Sequence, residues 1–474
     1  MKKKFMLMML LFALMVGVHP NSMTKAETIN TQGKQFEQGK YDLEAEAPFG
    51  QHWNRNSPYA GTETPNVKWE NKLYAKDGYD YSGQYQTGGY QTFGNQPAIG
   101  RDGTIYIGNV NGKLYAFNKD GSTKWIKDKL TTMYGSPVIA EDGTIYVPGE
   151  SLLTALSPDG SIKWQIKINA VETPILGKDG TIYVHNNGRH RLEAYTPDGT
   201  LKWGSNEIFS GRNNVLSSML SQNGTIYTVV TSGETNYLYA HDQNGKELWK
   251  KYVWSNGGNT GFTLGLNDEI YINGGSKFYV FDKNGDLIKE WKWHPYNPSY
   301  AFSAPAINSK DGTIYVSGAD GLYAYNPDYT LKWKYVANSF KGAPIIDKNG
   351  VVYITTTNGV GGVYAINPDG TLKWRLPKTY FIIDNFSNSS MTLGKDGTLY
   401  VRATGGTNMN DTYHSLIAIG DSYTDTVCTK DSTYMEVLKS LQAKSKNAKL
   451  TDEEKKEAHD ILKKLSDDLD KTDK

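Results

Sequence analysis

The chain has 474 residues, with 51 basic and 50 acidic side chains and one cysteine. The formal net charge is +1, which gives no electrostatic reason to expect nucleic-acid binding. Because Cys428 is the only cysteine, an intramolecular disulfide is excluded and a stable fold must rely on its buried core.

The first 26 residues have the features of a secretory signal peptide. Residues 2–4 are lysines, and the segment Phe5–Val18 is apolar but short for a membrane span. We expect cleavage after Ala26, and no cysteine lies nearby to carry a lipid. The leader therefore predicts a bacterial protein that is secreted to the extracellular space without a membrane anchor. Residues 27–64 are predicted to form an N-terminal extension.

One phrase of about 40 residues recurs through most of the chain, and it is clearest between Ser136 and Trp164. Each copy closes on a tryptophan, and these residues are Trp69, Trp125, Trp164, Trp203, Trp249, Trp291, Trp333 and Trp374. From Trp125 onward the spacings are 39, 39, 46, 42, 42 and 41 residues. A period near 40 with four short strands per unit is typical of a β-propeller.

Turn signals divide each unit into four strands, A to D. An Asp-Gly or Asn-Gly pair, such as Asp142-Gly143, separates strand A from strand B and favours a tight hairpin. A second pair, such as Asp159-Gly160, separates strand C from strand D. By this strand order, the D–A and B–C loops emerge on one face of the ring and the short turns on the other.

The two ends of the repeat region complement each other. Trp69 ends a D strand that no A, B or C strand precedes, whereas the last unit, Ser389–Ile419, has no D strand. Pairing Val67–Leu73 with Ser415–Ile419 would complete an eighth blade and close the ring. The sequence thus predicts an all-β fold, an eight-bladed propeller of four-stranded antiparallel blades over residues 65–422.

The pattern Ala-x-x-Pro-Asp-Gly-Thr-x-Lys-Trp, seen at Ala365–Trp374, resembles the tryptophan-docking repeat of the PQQ-like (pyrroloquinoline-quinone-type) β-propeller family. The resemblance covers about three quarters of the chain. In that family the repeat tryptophans stack between neighbouring blades. The resemblance therefore implies structural blade docking for the eight tryptophans, with ligand stacking as the less favoured alternative.

Some members of this family are quinoprotein dehydrogenases, which hold the quinone and a calcium ion on the propeller axis. They use adjacent cysteines, whereas this chain has only Cys428, in its C-terminal tail, and no Cys-x-x-Cys-His motif. Most carboxylates lie in the repeated turns, where turn geometry explains them. We expect no catalytic residue, cofactor or metal site. A calcium- and quinone-dependent oxidoreductase is the main alternative, and a polysaccharide hydrolase or lyase is a weaker one.

The loop His185–Arg191 holds two histidines and two arginines. It could bind an anion or a metal ion, but a solvated loop is the favoured interpretation.

Other members resembling this chain act as protein-docking scaffolds, among them the β-propeller lipoprotein of the outer-membrane assembly machinery. This chain lacks the cysteine that carries the lipid. The sequence therefore predicts a secreted, non-catalytic binding or scaffold module for a protein or glycan partner, resembling the non-catalytic secreted bacterial members of the family.

The long, irregular segments all belong to D–A or B–C loops, so they are predicted to share one face. They mix aromatic side chains with Asn, Gln, Gly and Ser, which suits sugars and protein epitopes alike. The predicted ligand face comprises Tyr79, Tyr90, Trp254, Trp293, His294, Tyr296 and Tyr380. Packing of these loops on each other, which would plug the channel, is the alternative.

Residues 423–474 predict a C-terminal helical hairpin, with helices over Asp431–Asn447 and Thr451–Leu469. Thr451 and Glu454 form a capping-box pattern at the start of the second helix. Its apolar side chains, at helical spacing, are Ala458, Ile461, Leu462, Leu465 and Leu469. We expect this face to pack on the propeller or within the hairpin, with partner or self contacts as alternatives.

Overall fold

The computed structural model describes residues 27–28, 55–73, 96–109, 112–133, 135–170, 172–206, 214–232, 235–254, 261–274, 277–292, 303–337, 340, 342–356, 362–377, 391–405 and 413–421. All of them belong to one compact unit, Lys25–Asp421. Their strands form eight antiparallel sheets, each with four consecutive radial positions A to D. The predicted all-β, eight-bladed propeller of four-stranded blades is confirmed.

The first four blades are continuous in sequence. Blade 1 comprises β3 (Ala98–Ile99), β4 (Ile105–Gly108), β5 (Leu114–Phe117) and β6 (Thr123–Lys127). Blade 2 comprises β7 (Val138–Ile139), β8 (Ile145–Val147), β9 (Leu153–Leu156) and β10 (Ile162–Ile166). Blade 3 comprises β11 (Ile175–Leu176), β12 (Ile182–Asn186), β13 (Arg191–Tyr195) and β14 (Leu201–Gly204). Blade 4 comprises β15 (Asn214–Leu220), β16 (Ile226–Ser232), β17 (Thr235–His241) and β18 (Glu247–Trp254).

The remaining blades include two strands from the N-terminal part of the chain. Blade 5 comprises β19 (Phe262–Leu264), β20 (Ile270–Asn273), β21 (Lys277–Phe281) and β22 (Leu287–Lys292). Blade 6 comprises β23 (Ala306–Ile307), β24 (Ile314–Gly318), β25 (Gly321–Tyr325) and β26 (Leu331–Val336), with β1 (Glu27–Thr28) beside β26. Blade 7 comprises β27 (Ile345–Ile346), β28 (Val352–Thr356), β29 (Gly362–Ile366) and β30 (Leu372–Pro377). Blade 8 comprises β31 (Met391–Leu393), β32 (Leu399–Gly405), β33 (Tyr413–Ile419) and β2 (Val67–Leu73).

The A strands are innermost, since A strands of successive blades lie next to each other. The B and C strands are buried almost throughout, whereas the D strands alternate between partly buried and exposed residues. The core therefore lies between the blades, where sheet faces pack. The A–B turns show why the sequence folds this way. In the turn of blade 1, Gly103 has a φ of 81°, and Asp102 accepts a hydrogen bond of 3.0 Å from the backbone N–H of Thr104.

An alanine in seven of the eight C strands lets two large rings meet across it. In blade 1, Ala116 lies between Tyr106 of the B strand and Trp125 of the D strand, and their ring centroids are 5.7 Å apart. Seven blades show this tyrosine–tryptophan contact, at 5.7–5.9 Å. In blade 5, Val280 replaces the alanine, and Trp291 lies opposite Phe278 instead.

Blade 8 is assembled from distant parts of the chain. β2 pairs antiparallel with β33, from Val67 opposite Ile419 to Leu73 opposite His414. Its ring of Trp69 lies 6.1 Å from that of Phe117 in blade 1. Blade 8 therefore packs directly against blade 1.

Part of the N-terminal extension lies on the axial side of the innermost strands. Asn56 forms a parallel bridge with Ile346 of β27, and the N–H of Ser57 donates to the Ile346 carbonyl at 2.7 Å. The chain then passes the A–B turn of blade 7, where Gly61 N–H donates to Asp347 at 2.8 Å. It continues to β2 on the outside. The extension thus crosses the propeller from its axis to its rim.

The predicted helical hairpin, residues 423–474, lies outside the described residues, so it stays a prediction. Among the described residues, no helix is long and apolar enough to cross a bilayer.

Asp421 ties the end of β33 to the chain that enters β2. Its carboxylate accepts hydrogen bonds from the Thr62 hydroxyl (2.9 Å), the Thr64 N–H (3.0 Å) and the Thr64 hydroxyl (2.8 Å). Asp120 accepts two similar bonds from Ser122 within its own turn. We expect Asp421→Ala to lower the free energy of unfolding by about 1–2 kcal/mol and Asp120→Ala to lower it by clearly less. Chemical denaturation measures both, and equal losses would contradict a special role for Asp421.

Candidate functional site

A lysine that recurs in the D strands is missing from two neighbouring blades. Each D strand carries a bulge just before the position opposite the C-strand alanine (Val280 in blade 5), and in six blades the bulged residue is lysine. Lys124 is typical, because its Nζ lies 2.9 Å from both Asp102 and Thr104 of the A–B turn. In blades 4 and 5 the bulged residues are Leu248 and Ile288, which are 48% and 51% exposed. Blades 4 and 5, which are neighbours, therefore both depart from the repeat at this position.

A groove of about 550 Å³ opens on the rim between blades 4 and 5. Tyr279 and Phe281 of β21, which are almost completely buried, form its floor. Tyr252 of β18 and Leu287 of β22 stand at its sides and are about half exposed, at 52% and 51%. We refer to this site as the rim groove.

Local strand geometry places these side chains. Alternate residues of β21 point to one side of the sheet, so Tyr279 and Phe281 pack against blade 4, in one cluster with Tyr227. β18 is the longest D strand at eight residues, and this length carries Tyr252 beyond its docking tryptophan, Trp249. The Tyr252 ring meets Tyr237 of β17 edge-on at 6.0 Å, which holds it in place.

Charged pairs lie at the groove. Lys251 of blade 4 reaches across to Asp286 of blade 5 at 3.5 Å, and Lys277 pairs with Glu290 within blade 5. These side chains are 29–76% exposed, so each pair contributes little to stability and can exchange partners. Burial, together with the nearby Glu290 and Tyr252, raises the pKa of Tyr279 to about 12, so its hydroxyl stays protonated. The groove thus combines aromatic and aliphatic surface with charges of both signs.

The His185–Arg191 loop of blade 3 is organised by a carboxylate that the sequence analysis did not single out. Glu193 is fully buried and accepts hydrogen bonds from Asn186 (3.0 Å), Arg189 (3.1 Å), Arg191 (2.8 Å) and the Tyr195 hydroxyl (2.6 Å). Burial alone would raise the pKa of Glu193, but the bonds from Tyr195, Asn186 and the arginines outweigh it and lower the pKa. Both loop arginines are therefore committed to an internal partner.

His185 itself lies between blades 3 and 4. Its Nε2 is 2.6 Å from the Ser218 hydroxyl and 3.3 Å from that of Thr228. Its Nδ1 is buried without a hydrogen-bond partner among the described residues, so the acid of a Ser-His-Asp arrangement is not present there. Among those same residues, no cluster of three His, Cys, Asp or Glu side chains could hold a metal ion. His185 and Ser218 therefore form a polar contact between blades 3 and 4.

The predicted ligand-face residues Tyr79, Tyr90, Trp293, His294, Tyr296 and Tyr380 lie outside the described residues. Trp254 is the last residue of β18, and its side chain also falls outside them. The sequence analysis missed the rim groove, although two signals mark it. Leucine precedes Trp249 where lysine precedes six of the other docking tryptophans. In blade 5, Trp291 follows the C–D turn glycine by six residues, whereas Trp125 follows its own by four.

Two buried histidines make stability depend on pH. Burial, with a smaller effect of His241, lowers the pKa of His185 to about 3, and burial lowers that of His241 to about 4. Both pKa values lie below the unfolded value of about 6.5, so the unfolded chain binds more protons below that pH. Stability is therefore full above pH 6.5 and falls as the pH drops toward 4, by up to about 1.4 kcal/mol per pH unit for each histidine.

Asparagine in place of His185 can still form a hydrogen bond with Ser218 but does not titrate. The free energy of unfolding of His185→Asn should therefore fall less steeply with decreasing pH, by the contribution of one proton. Urea unfolding at pH 7, 6 and 5 of the wild type and His185→Asn measures the difference, in which the other titrating groups cancel. Parallel pH profiles for the two proteins would contradict a buried neutral His185.

Comparison with known proteins agrees with this architecture. Residues 60–177, 110–298 and 234–409 match the family described as outer membrane protein assembly factor BamB. The uncharacterized protein YxaL of Bacillus subtilis (strain 168) is 32% identical over 126 residues, which are 26% of this chain and 27% of that protein. The match thus spans about a quarter of the length of that relative.

One solved structure shares the fold at low sequence identity, and a second superposes with a lower score. BamB from Moraxella catarrhalis superposes with a TM-score of 0.51 at 14% identity, covering 76% of this chain and 98% of that one. Virginiamycin B lyase from Staphylococcus aureus gives 0.44 at 12% identity, covering 60% and 93%. At such identities the likeness concerns the fold alone. The family matches, however, span residues 60–409 of the 474, and they confirm the resemblance seen in the repeat: the chain belongs to the BamB-like family of PQQ-like repeat propellers.

Proposed function

We propose that this chain is a secreted, non-catalytic propeller that binds a partner protein, and that the rim groove is its contact surface. The groove carries the proposal because it lies where two adjacent blades have lost the repeated lysine and expose aliphatic side chains in its place. Function on repeat scaffolds concentrates where the repeat is broken. The printed description of the family, an outer membrane protein assembly factor, names a role in assembly for its members.

The exposed side chains favour a protein over a glycan. Besides Tyr252, the outer strands of blades 4 and 5 expose Leu248, Leu287 and Ile288, each by about half. Aliphatic surface of this kind gains free energy when a protein covers it, at about 25 cal/mol per Å². A sugar would use the Tyr252 ring and the charged groups but would leave the aliphatic side chains in water. Lys251 and Asp286 at the edge then supply a polar rim.

A site-specific cross-linker tests the surface. We expect a photoreactive phenylalanine analogue at position 252, in protein secreted by its native cell, to give one discrete adduct with a polypeptide. Ile126 is a matched control, because it is also 52% exposed and lies on the D strand of blade 1. Adducts of equal yield at positions 126 and 252 would show non-specific contact and contradict the proposal.

Affinity for the partner so captured provides the quantitative test. Truncating a central aromatic residue of a protein interface costs about 2 kcal/mol or more, so Tyr252→Ala should weaken binding by at least about thirtyfold. Ile126→Ala should leave it unchanged. Binding to a glycan array that is lost in Tyr252→Ala would point to the glycan alternative.

The tail carries a further part of the proposal. We propose that residues 423–474 form the helical hairpin expected from their capping box and apolar face, and that this face packs on the propeller or within the hairpin of the same chain. A chain that ends at residue 421 should then lose most of the helical ellipticity at 222 nm while the propeller remains folded. An unchanged helical signal, measured by circular dichroism at equal concentration, would contradict the hairpin.

A further inference from the structure

Arg55 lies on the axial side of the innermost strands. Its carbonyl accepts a hydrogen bond of 2.9 Å from the N–H of Ile346 in β27, the A strand of blade 7. The next residue, Asn56, reaches sideways to blade 6, where its side-chain oxygen accepts from the Ser309 N–H at 3.2 Å. The segment therefore runs along the inner edges of two blades, and Arg55 is held beside the propeller axis.

The backbone at Arg55 is strained. Its φ of 59° lies in the left-handed region, which residues with a Cβ rarely adopt. Such conformations persist only where the surroundings impose them, and they concentrate at binding sites. Here the bonds to Ile346 on either side of Asn56 fix the backbone, so the direction of the side chain is set by the fold.

The Nε of Arg55 is buried and has no hydrogen-bond partner among the described residues, and Arg55 forms no ion pair with any of them. Burial lowers the pKa of Arg55 to about 10, so the group is still charged at neutral pH. By contrast, Arg189 and Arg191 share Glu193, and Arg101 pairs with Glu141.

Asp347 is a carboxylate on the segment's path, but its oxygens are already used. One accepts from the backbone N–H groups of Asn349 and Val351, and the other from Gly61 N–H and the Tyr353 hydroxyl. A buried charge is normally compensated by an opposite one, because desolvation is costly otherwise. Arg55 is only partly exposed and lacks such compensation among the described residues.

We propose that Arg55 forms an axial binding site for a small oxyanion, either a phosphate group or a carboxylate. The guanidinium presents N–H donors in a planar fork that matches two oxygens of either group. The bound anion supplies the missing charge and accepts a hydrogen bond from the Nε–H, which no described residue accepts. This site is independent of the rim groove and of the partner proposed for it.

Thermal unfolding of the full chain and of Arg55→Gln tests the site in a buffer whose only anion is chloride. Inorganic phosphate and acetate are added in separate titrations, which distinguishes the two sources of oxyanion. We expect at least one of them to raise the Tm of the wild type and to leave that of Arg55→Gln unchanged, because only the folded wild type binds the anion. Arg101→Gln, which removes a surface arginine already paired with Glu141, is the matched control and should respond like the wild type.

The Tm values measured without phosphate or acetate provide an independent test. Removing an uncompensated buried charge should leave the Tm of Arg55→Gln equal to or above that of the wild type. A lower Tm without anion would mean that Arg55 serves an internal ion pair, and it would overturn the proposal. Failure of both anions to stabilise the wild type would overturn it as well. Isothermal titration of phosphate and acetate into both proteins then checks that the shift reflects binding at Arg55, with an affinity at least about tenfold weaker in the variant.

Discussion

The structure depends on one contact between each blade and the next. The indole Nε1 of a D-strand tryptophan donates to a backbone carbonyl in the C–D turn of the following blade, as Trp125 does to Pro158 at 2.9 Å. The same indole covers the glycine of that turn so closely that a Cβ on Gly160 would lie 3.0 Å from the ring of Trp125. Tryptophan and glycine therefore recur together, because either one alone would leave a gap or a clash. This pairing explains why the sequence period is so easily recognised.

The chain ends show how strictly this contact is kept. Blade 8 has no continuous C–D turn, yet Trp374 still finds an acceptor, the carbonyl of Thr62, at 3.0 Å. Gly420 N–H donates to the Asn66 carbonyl at 2.9 Å, so the two ends form a substitute turn. Lys373 likewise pairs with Glu63 rather than with an A–B turn. The N-terminal segment thus reproduces at the rim what every other blade encodes locally, while its upstream part reaches the axis at Arg55.

The exception lies at the junction of blades 5 and 6. Tyr329, with a φ of 70°, stands where the other turns have glycine, and its ring lies 4.9 Å from that of Trp291. The Nε1 of Trp291 is buried and has no hydrogen-bond partner among the described residues. Two extra residues lie between Gly285 and Trp291. An insertion of two keeps the indole on the same face of the sheet but moves it two residues along β22, so it lies opposite Phe278. Blade 5 therefore docks through ring contacts, and it is also the blade that forms most of the rim groove.

The fold was predictable from sequence because each blade repeats the same local signals. These signals are the Asp-Gly turns, the tyrosine of strand B and the docking tryptophan. In most blades, each of them makes its contacts with residues that lie within about 40 positions in the sequence. The axial course of Arg55–Tyr59 was not predictable, since its partners in β23 and β27 lie some 250 to 290 residues away and no periodic pattern marks them. The rim groove is an intermediate case. Its signals, Leu248 and the longer spacing before Trp291, are visible in the sequence, but they acquire meaning only once the lysine contact of the other blades is known.

These departures from the repeat have a common physical origin. A lysine in the D-strand bulge ties the rim of its own blade to the A–B turn, and an indole bonded to the next turn ties blade to blade. Blades 4 and 5 lack this lysine, and the Nε1 of Trp291 in blade 5 has no hydrogen-bond partner among the described residues, so their outer strands lack contacts that restrict the sequence in other blades. Positions without such contacts can expose apolar side chains to solvent, as Tyr252 and Ile288 do.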